Sequence, residues 1–374
     1  MIKFLSRNSY RVTKWWYSLD HTILFLVFCI MLFGLLVITS SSPSVAYKIG
    51  VDADFFYQKH LIFLLLGIFV MLIIPAFDEK LVLKLSLPCF AILLLLLCIV
   101  LLNEPQLKGA KRWIRVGGFS IQPSEFLKPV FLIINSLLLA KYIHYERSLK
   151  FIFSTLILYL TTIFLLVLQP DMGMVINFTL IWLSQLFLVG FSFSIILSIG
   201  LVGILGLVLA YYNFAHVKYR LDMFLFSDGN LSYQVQKSLD AIKNGGFFGT
   251  GYYHGEVKEN LPDAHTDFVF AVIVEEFGFV ISSLLILCYT IIIIRVLTKA
   301  YKDHNIFVSL LLSGLALQLA FQVIVNIGVS INLLPTKGTI LPLVSYGGSS
   351  LIATSAMIGL ILLYSKSSYG RILD

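Results

Sequence analysis

Apolar runs long enough to cross a lipid bilayer constrain this chain more than any single motif. They cover 22–41, 59–77, 81–102, 126–143, 151–168, 172–190, 192–212, 267–296, 306–330 and 344–364. A helix rising ~1.5 Å per residue needs about 20 mostly apolar residues to traverse the hydrocarbon core. Lipid offers no hydrogen bonds, so a crossing segment must satisfy its own backbone as a helix or a closed barrel. No run alternates with period two. The sequence therefore predicts an all-α polytopic membrane protein with about ten transmembrane helices. Composition agrees: 59% of the 374 residues are hydrophobic and 13% are charged, against ~45–50% and ~25% in soluble domains. The chain reads as one integral-membrane domain over 1–374, with no internal repeat.

The first run resembles a secretory signal in one respect, because Lys3, Arg7, Arg11 and Lys14 precede Thr22–Ile38. It exceeds the ~7–15 residues of a signal core and further runs follow it, so it reads as the first membrane helix. With the N-terminus (1–21) and the C-terminus (365–374) inside, fourteen of the 27 Lys and Arg fall on inner segments. The near-even split hides a bias. Orientation is set by short loops, and long loops cross largely regardless of charge. Lys218, Arg220, Lys237, Lys243 and Lys258 belong to one long outer loop at 213–266, between spans seven and eight. Lys108, Lys111, Arg112, Arg115 and Lys128 form one cluster, which leaves Lys48, Lys59 and Lys337 outside. Both termini are therefore expected to be cytoplasmic.

Two polar stretches thus carry cations on the outer side: Gly109–Lys128, and the loop that ends in LPDAHTD at Asp267. Such cations point to an anionic ligand, a lipid headgroup or a pyrophosphate. Arg112 and Arg115 could equally snorkel to headgroups around Trp113. Glu125 follows Pro123 and Ser124 in the first turn of a helix, where the dipole favours a carboxylate. It shares a face with Lys128 at i, i+3. The two either brace the mouth of span four or bring a carboxylate and an ammonium to the rim of a cavity. Asp267 stands at the head of span eight. There it can accept a proton from a sugar hydroxyl, hold a divalent cation, or simply begin the helix. His265 is a competing base, although a single histidine more often only hydrogen-bonds.

Glu275 and Glu276 lie about two turns into an apolar run, where charge is expensive, so at least one should pair within the bundle. QPDMG at 169–173 reads as a turn. The segment 335–350, with Lys337 and Ser349, offers either a helix start suited to an anion or a close-packed one. Cys29, Cys89, Cys98 and Cys288 lack metal-ligand spacing and are expected as buried free thiols. The net charge of +7 comes with no nucleic-acid motif. A glycine-rich nucleotide loop, a nucleophile elbow and a zinc motif are also missing. Bond formation should therefore draw on an already activated, membrane-bound substrate rather than a nucleotide.

Taken together, GAKRWI and IQPSEFLKP (Gly109–Pro129), QPDMG (169–173), GGFFGTG (245–251), LPDAHTDFVFAVIVEEFG (261–278) and NIGVSINLLPTKGTILPLVSYGGSS (326–350) resemble the shape, elongation, division and sporulation (SEDS) family. This is the group of FtsW and RodA, and the resemblance covers nearly the whole chain. AHTD and PTKG lean toward the FtsW branch, with a RodA-type elongation role as the alternative. Lys108, Asp263, Met172, Ile331 and Asn332 depart from the family pattern. The stretch Tyr252–Asn260, with Lys258, aligns poorly and leaves the role of that loop open.

The resemblance implies a peptidoglycan glycosyltransferase that polymerises lipid II at the outer face of the bacterial plasma membrane, at the division septum. It implies Asp267 as the essential carboxylate, acting as general base or through a metal. Glu125 and Lys128 match the family's PSExxK residues. Arg112, Arg115, Glu125, Lys128, His265, Lys337 and Ser349 are the expected substrate-binding residues. A divalent cation (Mg or Mn) is implied, with Asp267 or Glu125 as its ligand. Undecaprenyl pyrophosphate is the implied leaving group. The implied partners are a class B penicillin-binding protein transpeptidase (FtsI-like) and the FtsQ–FtsL–FtsB regulators. A lipid II flippase would use the same cationic surface, and a divisome scaffold would need only its interfaces.

Overall fold

The computed structural model describes residues 13, 15–103, 111–117, 119–213, 218, 222, 232–335 and 338–366. Every predicted apolar run falls on a helix. These are α1 (His21–Ser41), α3 (Phe55–Ile73), α4 (Glu79–Asn103), α5 (Pro123–His144), α6 (Leu149–Leu168), α7 (Met172–Leu188), α8 (Phe193–Asn213), α10 (Val269–Lys302), α11 (Ile306–Ser330) and α12 (Gly348–Tyr364). Two helices outside those runs, α2 (Pro43–Ile49) and α9 (Tyr233–Gly245), lie at one end of the bundle, which we call the loop end. Seven of the helices are long and apolar enough to cross a membrane, and Met172–Leu188 and Gly348–Tyr364 are shorter apolar helices. Among the described residues, the one departure from all-α structure is a hairpin at the loop end, β1 (Ile114–Val116) paired antiparallel with β2 (Phe119–Ile121).

Among the described residues, two large apolar cores hold the bundle, and a smaller third one packs α9 and the loop at 261–268 onto α10 and α11. One joins α1, α10, α11 and α12 through residues such as Val27, Ile292, Leu315 and Ile361. The other joins α4 to α7 through Leu97, Phe131, Leu166 and Trp182. Between them α5, α7 and α11 meet along a polar seam. Asn135 donates to Gln185 Oε1 (2.6 Å), and Gln185 donates to Ser136 Oγ (2.8 Å) and to the Leu310 carbonyl (3.2 Å). Interhelical hydrogen bonds of this kind act as glue where lipid supplies no hydrophobic drive.

Gly278 breaks α10 with φ 75° and ψ 178°. The loop at 245–251 docks onto the opened turn. Thr250 and Gly251 donate backbone N–H groups to the carbonyls of Glu275 (2.9 Å) and Glu276 (3.0 Å), and Phe279 donates to Gly246 (3.0 Å). A Cβ on Gly249 would stand 2.2 Å from the Glu276 carbonyl oxygen, so only glycine allows this approach. The GGFFGTG motif is thus a backbone docking element. The cysteines correct an expectation. Cys29, Cys89 and Cys98 are free but exposed on the outside of the bundle, where lipid rather than a protein core accommodates them, and Cys288 is half-buried.

Candidate active site

Pro123 sets the first turn of α5, and the hairpin delivers the chain to it. Ser349, at the start of α12, accepts from the Gln122 backbone N–H (3.0 Å) and donates to the Ser120 carbonyl (3.3 Å). Its hydroxyl thus clasps the hairpin to α12. Beneath this clasp a cleft of about 560 Å³, counted out to its open mouth, is lined by Arg112, Gln122, Glu125, Lys128, Asp171 and Gly338, among others.

The cations in the cleft are paired. Lys128 Nζ lies 2.6 Å from Glu125 Oε2, and both side chains are almost fully buried. Arg112 donates from Nη2 to the Pro170 carbonyl (2.5 Å), and its Nε lies 3.5 Å from Asp171 Oδ2. Gln122 also donates to Asp171 (3.3 Å), while Asp171 caps α7 by accepting from the Met174 N–H (3.4 Å). The QPDMG turn therefore does more than reverse the chain: Asp171 orients Arg112. Guanidinium carries five donors and ammonium three. Pairing uses only some of them and holds the rest in place.

Asp267 lies in a run of turns that ends where α10 begins at Val269. Asn326, wholly buried on α11, donates both amide hydrogens, to the Asp267 carbonyl (2.9 Å) and to the Thr339 carbonyl (2.7 Å). Ser345 donates to the Thr266 carbonyl (2.7 Å), and the Tyr346 N–H donates to the His265 carbonyl (2.8 Å). The LPDAHTD and PLVSYGG motifs are thus one hydrogen-bonded unit. A Cβ on Gly338 would lie 3.6 Å from Asp267 Oδ2, so the Asp267 carboxylate stands beside a residue that lines the cleft.

The remaining predicted residues distribute differently. His265 is buried, with its ring 4.5 Å from that of Phe56 and 5.3 Å from that of Tyr346. It packs in an aromatic cluster and is not among the residues lining the cleft. Arg115 is exposed on β1 opposite Ser120, at the water-facing surface of the hairpin. Lys337 lies outside the described residues. Among the described residues, no three His, Cys, Asp or Glu side chains gather as a metal ligand set. The contributions of Asp171 and Asn326 were missed in sequence, because turn chemistry explained the first and helix patterning absorbed the second.

Glu275 and Glu276 are buried away from the cleft. Glu275 accepts from the N–H groups of Val257 (2.8 Å) and Lys258 (2.9 Å) and from Asn244 Nδ2 (3.1 Å). Glu276 pairs with Lys258 and accepts from Ser40, while Lys258 also donates to Ser40 Oγ (2.6 Å). The expected pairing within the bundle is present, and it seals the loop end over α1 and α10.

A family model described as the cell cycle protein family FtsW, RodA and SpoVE matches residues 20–370. The chain is 32% identical over 353 residues to a protein of Caulobacter vibrioides named probable peptidoglycan glycosyltransferase FtsW, covering 93% of this chain and 89% of that protein. A Legionella pneumophila protein of the same name is 34% identical over 349 residues, covering 90% and 88%. Among solved structures, one chain of a peptidoglycan synthase complex that coordinates polymerization and crosslinking superposes with TM-score 0.78 at 28% identity, covering 94% of this chain and 99% of that one. The Thermus thermophilus rod shape determining protein RodA superposes with TM-score 0.69 at 29% identity, covering 95% and 99%.

Proposed function

The chain belongs to the FtsW, RodA and SpoVE family of cell cycle proteins, and from that premise we propose that it is a peptidoglycan glycosyltransferase polymerising lipid II. The loop end faces outward, ten helices cross the membrane, and both termini lie in the cytoplasm. The polymerase works in cell division, beside a class B penicillin-binding protein transpeptidase of FtsI type and under FtsQ–FtsL–FtsB control. The observation that carries the reading is that Asn326 fastens the loop bearing Asp267 to Thr339, which lines the cleft together with Arg112 and Lys128.

In this reaction the 4-hydroxyl of the incoming sugar attacks the anomeric carbon of the growing chain. A new C–O bond forms and the bond to the pyrophosphate oxygen breaks with inversion. Asp267 accepts the hydroxyl proton, and undecaprenyl pyrophosphate leaves with the electron pair. Arg112 and Lys128, held rigid by Asp171 and Glu125, direct their remaining donors at the charge that develops on the pyrophosphate. Preorganised donors of this kind are often the largest catalytic term. The divalent cation that the family resemblance implies would be held by Asp267 or Glu125, and it would supply charge stabilisation to the leaving pyrophosphate. No step above depends on it.

The test is Asp267→Asn, purified with the transpeptidase partner and supplied with lipid II. We expect polymerisation to fall by ~10²–10⁴-fold, the usual worth of a general base, with unchanged thermal unfolding. Wild-type polymerisation by the folded variant would overturn the assignment. Retained lipid II transport in sealed vesicles would then favour a flippase.

A further inference from the structure

The charged groups of the cleft pair with one another, but neutral polar side chains line it as well. Asn177 lies five residues inside the start of α7, and Gln322 lies eight residues before the end of α11. At ~1.5 Å per residue these positions are roughly 7 and 12 Å below the helix ends. Both line the cleft, as does Thr339. Gln322 is 6% exposed. Asn177 Oδ1, Gln322 Oε1 and Thr339 Oγ1 are buried atoms that meet no hydrogen-bond partner among the described residues. On the same two helices Gln185 bonds to Asn135 of α5, and Asn326 donates both its amide hydrogens. Asn326 Oδ1 and both polar atoms of Gln318 also meet no partner among the described residues, but neither residue lines the cleft. Buried acceptors are normally paired, so three converging on one cavity call for a ligand that donates.

We propose that the neutral polar lining of the cleft is a sugar-reading subsite. The side-chain carbonyls of Asn177 and Gln322 and the hydroxyl of Thr339 accept hydrogen bonds from the hydroxyl and acetamido N–H groups of the sugar attached to the pyrophosphate. The ligand class follows from the chemistry of the lining. The acceptors need N–H or O–H donors, which an ionised pyrophosphate lacks, and the anionic part of the substrate is matched by Arg112 and Lys128. A site that hydrogen-bonds a polar group also rejects analogues lacking it, because its acceptors are then left unpaired. The inference rests on the reading of the cleft as the lipid-pyrophosphate site, and it adds which residues distinguish a sugar-bearing lipid from a bare one.

The test measures binding of lipid II and of undecaprenyl pyrophosphate, which lacks the sugars, to the full-length protein in nanodiscs. The wild type should bind lipid II at least about tenfold more tightly. Asn177→Leu and Gln322→Leu should each weaken lipid II about tenfold, the loss expected for one neutral hydrogen bond. Both should leave undecaprenyl pyrophosphate within about twofold, with thermal unfolding as the check on folding. Unchanged lipid II binding, or equal weakening of both lipids, in a folded variant overturns the subsite. If neither variant folds, the wild type decides: equal affinity for the two lipids overturns the proposal. Binding of neither lipid by the wild type overturns the reading of the cleft on which it rests.

Discussion

Lys128 and Lys258 are each buried against a glutamate near the same end of the bundle, but their surroundings differ. Lys128 and Glu125 border an open cleft, with Arg112, Asp171 and the Asp267 loop around them. Lys258 and Glu276 are closed in by Ser40 and by the loop docked on α10, and the neighbouring Glu275 is covered by backbone N–H groups. Paired charge therefore does not mark a reactive site by itself. Space beside the pair, with donors left over, makes chemistry possible. A pair whose every side is filled holds two segments in register.

The comparison is sharpest where the two clusters are perturbed in turn. The largest effect is the loss of polymerisation in Asp267→Asn, described above, with stability untouched. Glu276→Ala should do the reverse. It leaves Lys258 as an uncompensated buried charge, at a cost of about 3–5 kcal/mol, read as a lowered unfolding midpoint. The double variant Lys258→Met with Glu276→Leu should recover most of that stability and retain polymerisation. A folded but inactive double variant would break the comparison, because the closed pair would then be part of the chemistry. Lys128→Met should lower polymerisation by ~10²-fold, as removal of a preorganised donor does elsewhere. Its stability loss should be smaller than that of Glu276→Ala, since the orphaned Glu125 can reach water through the cleft.

The smallest effect belongs to a third cluster, at the opposite end of α1. Asp20 caps that helix through the N–H groups of Thr22 and Ile23 and meets Arg295 and Lys299, each at 2.7 Å. Burial alone would raise its pKa, but hydrogen bonds from Arg295 and Lys299 outweigh burial and bring it to about 2. A lowered folded-state pKa means the stabilisation is complete above the unfolded value of 3.8 and is lost as pH falls toward 2. The shift is worth at most roughly 2 kcal/mol, and less after screening, because Arg295 is 44% exposed. Unfolding midpoints measured between pH 6 and pH 2.5 should fall by that small amount, and Asp20→Asn should flatten this part of the profile.

Several elements were legible in the sequence because their causes are local. Apolar runs became helices, Pro123 opened α5, and Glu125 met Lys128 because three residues along a helix share a face. Other features were not. That the Ser349 hydroxyl holds Gln122, 227 residues away in sequence, could not be read from a helix start that suited either an anion or close packing. Nor could the packing of the His265 ring against Phe56 and Tyr346. Lys258 sat in a stretch that departs from the family pattern, and only the docked loop shows that it neutralises Glu276. Asn326 looked like one polar residue in an apolar helix, yet it joins two motifs.

By itself the sequence determined a membrane-embedded helical chain, the positions of its apolar helices, and the motifs that tie it to its family. These depend on hydrophobicity and short-range order, which are summed along the chain. The tertiary structure alone decided which polar groups share a cavity and which are consumed in holding it together. The reason is geometric. Arg112 reaches Asp171, Gln122 reaches Ser349, and Asp267 stands beside Gly338 only after helices distant in sequence pack. Whether a buried amide such as Gln322 is satisfied or left waiting for a ligand depends on what the facing helices bring to it.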